Sequence, residues 1–314
     1  MKLLRFFFFV MLMFCIKSVH AFNDGDDKKF QQKKSLKRIV IDPGHGGYPS
    51  AGQGNYGASS KYGDEKDIAL AVALKLQKNI QEQLPDVEVF LTRTTDVFEN
   101  VRTKADRANA AKGDLFISLH CNDVPPIRHT EVVGYTRRTI KRRGKKIVKK
   151  IPEYKVSYTP NPAKGTETYI WGVDKNSQKE DAVAEGGEFS DSTDVLVKEM
   201  DDPIKRVEIG LRVQQYKERS QLFAQTIEDE FVKAGRVSRG VKQRQVGIHV
   251  LAAVNMPAIL IEMGFLSNDE EASFLGSEKG QQETADAITE AIKRYKYSLD
   301  NKMQAKDSTS PKNK

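Results

Sequence analysis

The run Arg38-Ile39-Val40-Ile41 breaks into Asp42-Pro43-Gly44-His45-Gly46-Gly47, and few folds accommodate such a break. Three β-favouring residues predict a buried strand that Asp-Pro-Gly ends sharply at its C-terminal edge. Proline stops the strand, while the glycines clear side chains from around His45 and permit backbone angles closed to other residues. In open α/β sheets that edge is where ligands are held, and here it presents an imidazole.

A histidine in a turn is by itself more often an ordinary surface residue than a ligand. Its company shifts the balance. Glu65 opens an amphipathic stretch, His120 ends the apolar run 114–120, and Glu262 ends the run 258–262. Parallel strands bring such ends to one edge, so two histidines and two glutamates can converge there. A catalytic zinc keeps three protein ligands and a fourth position for water. Two histidines with one glutamate form such a set, which points to His45, Glu65 and His120 as ligands of Zn2+. Glu262 is the candidate general acid/base, taking the water's proton and passing it to the leaving amine. Plainer readings stand beside these. Glu262 could be a buried acid paired with Arg or Lys. Glu65 is favoured in a first helical turn whatever its role, and Asp64 and Asp67 compete for the same place. Cys121 as a thiolate nucleophile is disfavoured, because neighbours on a strand face opposite sides.

With 39% apolar and 30% charged residues in 314, the composition suits a globular protein and excludes a fibre or wholesale disorder. Lys2 and Arg5 precede an apolar run over residues 6–16, and Val19-His20-Ala21 offers a cleavage site. The run is about half the roughly 20 residues a membrane-crossing helix needs, so residues 1–21 are read as a secretory signal peptide. Phe14 before Cys15 argues against a lipoprotein. After cleavage Cys121 is the only thiol, no internal disulfide can form, and stability must come from a packed core. Losing three cations with the leader lowers the formal charge from +8 to +5. That balance, outside the cytoplasm, favours anionic wall polymers or lipid headgroups over nucleic acid.

Residues 22–35 are polar and read as a flexible linker. From residue 36 the β-α-β-α-β alternation implies an α/β fold with a mostly parallel twisted sheet flanked by helices, in a stretch long enough for one large domain or two small ones. Within it the patterning predicts helices over 65–84, 97–112, 213–233, 268–275 and 284–295, and strands over 36–42, 87–91, 114–120, 165–171, 247–251 and 258–262. Gly52-Gln53-Gly54-Asn55-Tyr56-Gly57 formally matches a dinucleotide fingerprint, but it lies well beyond the strand end and is read as a rim loop. A basic insertion spans about 123–163. Its residues 137–150 hold nine Lys/Arg and no acid, with Arg143-Gly144-Lys145 as a hairpin turn. It is read as a solvated hairpin or as a contact for anionic polymer. The acidic stretch 174–202 is a surface insertion or a lid. Residues 298–314 read as a disordered tail.

Asp42-Pro43-Gly44-His45-Gly46-Gly47, Glu65-Lys66-Asp67-Ile68-Ala69-Leu70, Leu91-Thr92-Arg93, Arg107-Ala108-Asn109, Ser118-Leu119-His120-Cys121-Asn122 and the segment from Met256-Pro257 through Glu262-Met263-Gly264-Phe265 to Asn268 occur in that order. Together they resemble the zinc-dependent N-acetylmuramoyl-L-alanine amidases of the bacterial cell wall, over residues 36–295. The resemblance implies a single α/β domain over residues 36–297 and cleavage of the amide joining N-acetylmuramic acid to the first L-alanine of the peptidoglycan stem peptide. It also implies His45, Glu65 and His120 as zinc ligands and Glu262 as catalytic acid/base. Some members of that family block the groove with an inserted helix whose glutamate occupies the metal's open position. Here the insertion is 172–202, with Glu185 and Glu188 as autoinhibitory candidates. Gly186-Gly187 between them departs from the pattern, since each glycine weakens a helix by about 1 kcal/mol. The alternatives are a zinc peptidase acting on the stem peptide and a non-catalytic wall-binding module. The expected setting is secreted, in the periplasm or cell envelope. The expected partners are peptidoglycan and an activator protein, with no nucleic acid, no transmembrane span in the mature chain, and a monomeric state.

Overall fold

Strand β1 (Arg38–Pro43) lies between two parallel partners, β4 (Glu88–Leu91) and β5 (Leu115–Asn122). These come from a computed structural model that describes residues 35–48, 57–142, 144–185, 202–244 and 248–309. Because helices cover both faces of the sheet, β1 and β5 read as continuous apolar runs instead of alternating ones. Next to β5 lies β10 (Ala258–Phe265), again parallel. Beyond it β8 (Thr166–Trp171) runs antiparallel, and β9 (Ser238–Arg244) closes the sheet parallel to β8. The order is β4-β1-β5-β10-β8-β9, the mostly parallel α/β sheet that the alternation predicts.

Two crossovers set the C-terminal edge. Helix α1 (Glu65–Gln83) buries Ile68, Val72, Leu76 and Ile80 along one stripe, and α2 (Val101–Ala110) buries Ala105 and Ala108. Helix α2 starts later than its pattern suggests because the Asn100 side chain accepts from the Thr103 amide and fixes the first turn there. A two-residue pairing of β2 (Ser59–Ser60) with β3 (Gly63–Asp64) delivers the chain to α1.

The basic insertion is a long hairpin, β6 (Ile127–Arg142) with β7 (Lys145–Thr159), so its turn falls where the sequence places it. After β8 come a 3-10 turn (Val173–Lys175), α3 (Asn176–Glu185) and α4 (Pro203–Lys233). Helix α4 begins ten residues before its predicted start, since Asp202 accepts from the Ile204 amide and Pro203 occupies the first turn.

Two expectations fail. The described part of the apolar run 247–251 is not a strand: His249–Ala253 is helix α5, and the strand at that edge of the sheet is β9. Short apolar runs do not distinguish strand from buried helix, and β9 is an edge strand whose charged residues hide its period. Nor is the C-terminal stretch wholly irregular. After α6 (Asp269–Gly276), helix α7 runs Glu278–Thr309, because Asn301-Lys302-Met303-Gln304-Ala305-Lys306 is mostly good helix-forming sequence. Residues 1–34, on which the expected signal peptide and most of the expected linker fall, and residues 310–314 lie outside the described residues. Among the described residues no helix is long and apolar enough to cross a membrane.

Residues 37–295 form one compact unit, in which Phe116, Trp171, Phe223 and Phe231 are fully buried. In the other unit, 1–36 with 296–314, Lys296 bonds Asp300 at 3.0 Å. Within the larger unit α3 packs on α4 and α5, and one buried cation fastens it. Lys179 Nζ donates to the carbonyls of Leu251 (2.8 Å), Val254 (2.5 Å) and Met256 (2.8 Å) and lies 4.6 Å from the Trp171 ring centroid. Burial pushes its proton affinity down, while the carbonyls and ring face supply partners for the charge. Lys179→Ala strands three buried carbonyls and leaves a void. It is expected to lower unfolding stability by roughly 2–5 kcal/mol, read from the urea midpoint at unchanged slope.

Candidate metal centre

The turn after β1 is held by two buried cations. Lys104, on α2, donates to the carbonyls of Pro43 (2.8 Å) and His45 (3.0 Å) and pairs with Asp42 at 3.0 Å. Arg93, just past β4, donates to the carbonyls of Pro43 (3.1 Å), Gly44 (2.8 Å) and Lys66 (2.7 Å). Asp42 also accepts from the hydroxyls of Thr92 (2.6 Å) and Ser118 (2.9 Å). Burial pushes the Asp42 carboxyl up, but Lys104 and Thr92 outweigh it and hold the group below its ordinary range. This frame keeps His45 at φ 55°, a left-handed conformation that non-glycine residues adopt only when their surroundings impose it. Gly44 cannot be replaced without a clash: a Cβ there would sit 2.5 Å from His120 Cε1 and 2.6 Å from the Leu119 carbonyl oxygen.

Glu65, the first residue of α1, reaches under that turn. Its Oε2 accepts from the Ala58 amide (2.7 Å) and its Oε1 from the Cys121 amide (3.0 Å). The same Oε1 lies 2.8 Å from His120 Nδ1 and 3.1 Å from His45 Nε2. The two imidazoles meet edge to face, with centroids 4.9 Å apart. Burial pushes the Glu65 carboxyl up, yet the two imidazoles hold it far below its usual range. Burial likewise lowers His120, and Glu65 more than restores it, leaving the imidazole raised.

One ligand atom from each of His45, Glu65 and His120 lies within 4.8 Å of the others. Donors about 2.0–2.1 Å from a tetrahedral zinc are spaced roughly 3.3 Å apart, close to the two separations from Glu65 Oε1. Three nitrogens also crowd one oxygen that has two lone pairs. A cation among them would let both imidazoles act as acceptors, so the donor set fits a borderline-soft divalent metal. Asp64 and Asp67 are not rivals for this position. Asp64 accepts from the Ser59 hydroxyl at 2.7 Å, and Asp67 pairs with Lys66 at 3.1 Å.

Glu262 sits on β10 opposite His120 on one side and Glu167 of β8 on the other. The strand does not end there but continues to Phe265, with its register against β5 shifting between the two. Glu262 is 5% exposed, its Oε2 has no hydrogen-bond partner, and its Oε1 is 3.5 Å from Arg244 Nη1. Burial pushes it up to about 7, against the pull of His120 and with a push from Glu65. Glu167 contrasts with it. Burial raises this group too, but Lys242 and Arg239, each at 2.5 Å, and the Tyr169 hydroxyl, also at 2.5 Å, bring it down to about 2. Cys121 is buried, and burial pushes its thiol well above the ordinary value, so it is not poised as a nucleophile.

The structure therefore brings His45, Glu65 and His120 together and places Glu262 one strand away. Glu185 is the final residue of α3 and its side chain lies outside the described residues, as does Glu188 altogether. Sequence reasoning missed Lys104, Arg93, Glu167 and Arg244. The resemblance quoted Arg93 without giving its task, and Lys104 carries no local signal because its partners are about sixty residues away.

The family model for N-acetylmuramoyl-L-alanine amidases matches residues 39–294. The chain is 26% identical over 257 residues to N-acetylmuramoyl-L-alanine amidase AmiC of Escherichia coli O6:H1, covering 82% of the chain but 52% of that relative, so it spans about half of AmiC's length. It is 24% identical over 302 residues to the germination-specific N-acetylmuramoyl-L-alanine amidase of Bacillus subtilis, covering 91% of each. Among solved structures, an N-acetylmuramoyl-L-alanine amidase from Clostridium difficile 630 superimposes with a TM-score of 0.52 at 25% identity, covering 84% of this chain and 98% of that one.

Gly44→Ala, which forces His120 or the β5 backbone aside, is expected to weaken metal retention by about 10–100-fold. The measurement is metal content after dialysis against graded chelator, with the circular dichroism spectrum unchanged.

Proposed function

The chain belongs to the N-acetylmuramoyl-L-alanine amidase family, and from that premise we propose that it is a zinc-dependent peptidoglycan hydrolase of the cell envelope. On this reading it cleaves the amide between N-acetylmuramic acid and the L-alanine of the stem peptide. His45, Glu65 and His120 are the residues that would hold the metal. The observation that carries the reading is a buried carboxyl with one unpartnered oxygen, Glu262, placed beside His120 at the edge where the three donors meet.

Zinc, when bound, supplies Lewis-acid polarisation of the scissile carbonyl and lowers the pKa of the attacking water. The chain's own groups do the rest. Glu262 Oε2 accepts a proton from that water and returns it to the nitrogen of the departing L-alanine, so one proton enters and leaves the carboxyl per turnover. A group pushed up to about 7 suits both halves, being basic enough to accept and acidic enough to donate near neutrality. Glu65 is fixed by two backbone amides and so presents its oxygen without further reorganisation. Arg93 and Lys104 hold His45 in its left-handed pose.

The deciding test is digestion of purified peptidoglycan with and without chelator. The expected products are N-terminal L-alanine peptides and glycan carrying free lactyl carboxylates; new termini only inside the stem peptide would assign a peptidase instead. Glu262→Gln is expected to retain metal and lose about 10²–10⁴-fold in kcat. Arg244 favours the ionised form of Glu262. Removing it in Arg244→Ala should raise that pKa, so the acid limb of kcat/KM, where the base becomes protonated, moves to higher pH.

A further inference from the structure

The hairpin β6–β7 has no part in the chemistry above. Its two strands pair only with each other, and β7 is exposed along nearly its whole length. Its outer end opposes like charges: Arg137 faces Lys150, Arg138 faces Lys149 and Lys141 faces Lys146. Same-sign side chains directly across a sheet are destabilising. Among the described residues, none of Arg137, Arg138, Lys141, Lys145, Lys146, Lys149 and Lys150 makes an ion pair with an acid. The arm therefore carries a repulsion that nothing in the described fold relieves.

Register and strand alternation sort its side chains. On β7 the even positions Lys146, Lys150, Tyr154 and Tyr158 share one face, together with Arg137 and Tyr135 across the ladder. All three tyrosines of the hairpin lie on that face, and no acid does. Both acids, Glu131 and Glu153, belong to the other face, where Glu153 accepts from the Thr136 hydroxyl. The acid-free face thus has a cationic outer third followed by an apolar patch. Tyr135, Tyr154 and Tyr158 are 64%, 58% and 60% exposed, with Val132 and Val156 set between them.

We propose that this hairpin docks on an anionic lipid surface, with the lysines and arginines of its outer end against the headgroups and the Tyr/Val patch lying in the interface. Charge alone would suit any polyanion, so the apolar part decides the occupant. On the tyrosine face the exposed aliphatic side chains are Val132, Val148 and Val156, as many as the tyrosines, while Ile127, Ile147 and Ile151 belong to the opposite face. Stacked bases or a soluble phosphate polymer would use the rings and leave the aliphatic surface in water. A bilayer interface takes tyrosine, valine and cations together. The proposal does not depend on the amidase reading, since it uses no residue of the metal centre.

The test is sedimentation of the full-length chain with vesicles of phosphatidylcholine plus phosphatidylglycerol, and with vesicles of phosphatidylcholine alone. Binding is expected only to the mixed vesicles, falling about tenfold or more as salt rises from about 0.1 to 1 M and the Debye length shrinks from ~10 to ~3 Å. A variant with Lys145, Lys146, Lys149 and Lys150 changed to Ser should lose binding by about tenfold or more, and so should one with Tyr135, Tyr154 and Tyr158 changed to Ser. Thermal unfolding checks that each variant keeps the domain. Excision of 127–159 with a short glycine-serine bridge repeats the test without relying on the hairpin's own folding. Failure of the native chain to bind mixed vesicles overturns the proposal, as does unchanged binding after excision. Full binding by the tyrosine variant, or tighter retention on polyphosphate or single-stranded DNA than on the vesicles, overturns it in favour of a soluble polyanion.

Discussion

Two buried cations, Arg93 and Lys104, underlie the turn in which β1 ends. Their bonds to the carbonyls of Pro43, Gly44 and His45 turn an irregular peptide into a rigid bracket. Buried charges are stable only when neutralised and fully bonded, and Asp42 provides the neutralisation for Lys104. The left-handed backbone at His45 and the glycine beneath His120 follow from that bracket. Without it, the two imidazoles would have no reason to share the Glu65 oxygen.

Glu262 and Glu167 face each other across adjacent strands and show how environment separates like groups. Glu167 collects Arg239, Lys242 and a tyrosine hydroxyl, and stays charged. Glu262 has a distant arginine and an unpartnered oxygen, and holds a proton far more readily. Environment thus leaves one of the two neighbouring carboxyls a fixed anion and the other able to take up and release a proton. It also keeps Arg239 and Lys242 of β9 occupied by Glu167, which leaves Arg244, at 3.5 Å, as the β9 cation beside Glu262.

The site was legible because each of its members falls at a punctuation mark: a strand breaking at Pro43, a helix opening at Glu65, apolar runs reaching His120 and Glu262. Its support was not. Arg93 and Lys104 act on backbone carbonyls about fifty and sixty residues away, and no periodicity encodes that. Strand β9 escaped notice because Arg239, Lys242 and Arg244 look like a wet loop until Glu167 and Glu262 are known to lie opposite. Helix α5 shows the converse error, where an apolar run that suits a strand is bent into a helix by packing against α2 and α3.

Strand β5 carries His120 and leads within a few residues into β6. Fifteen or so extended residues reach about 50 Å, so a docked arm would make contact over a long lever. With its acid-free face laid along a surface, an arm of that length would act as an outrigger, limiting how far the edge that carries His45, Glu65 and His120 can tilt.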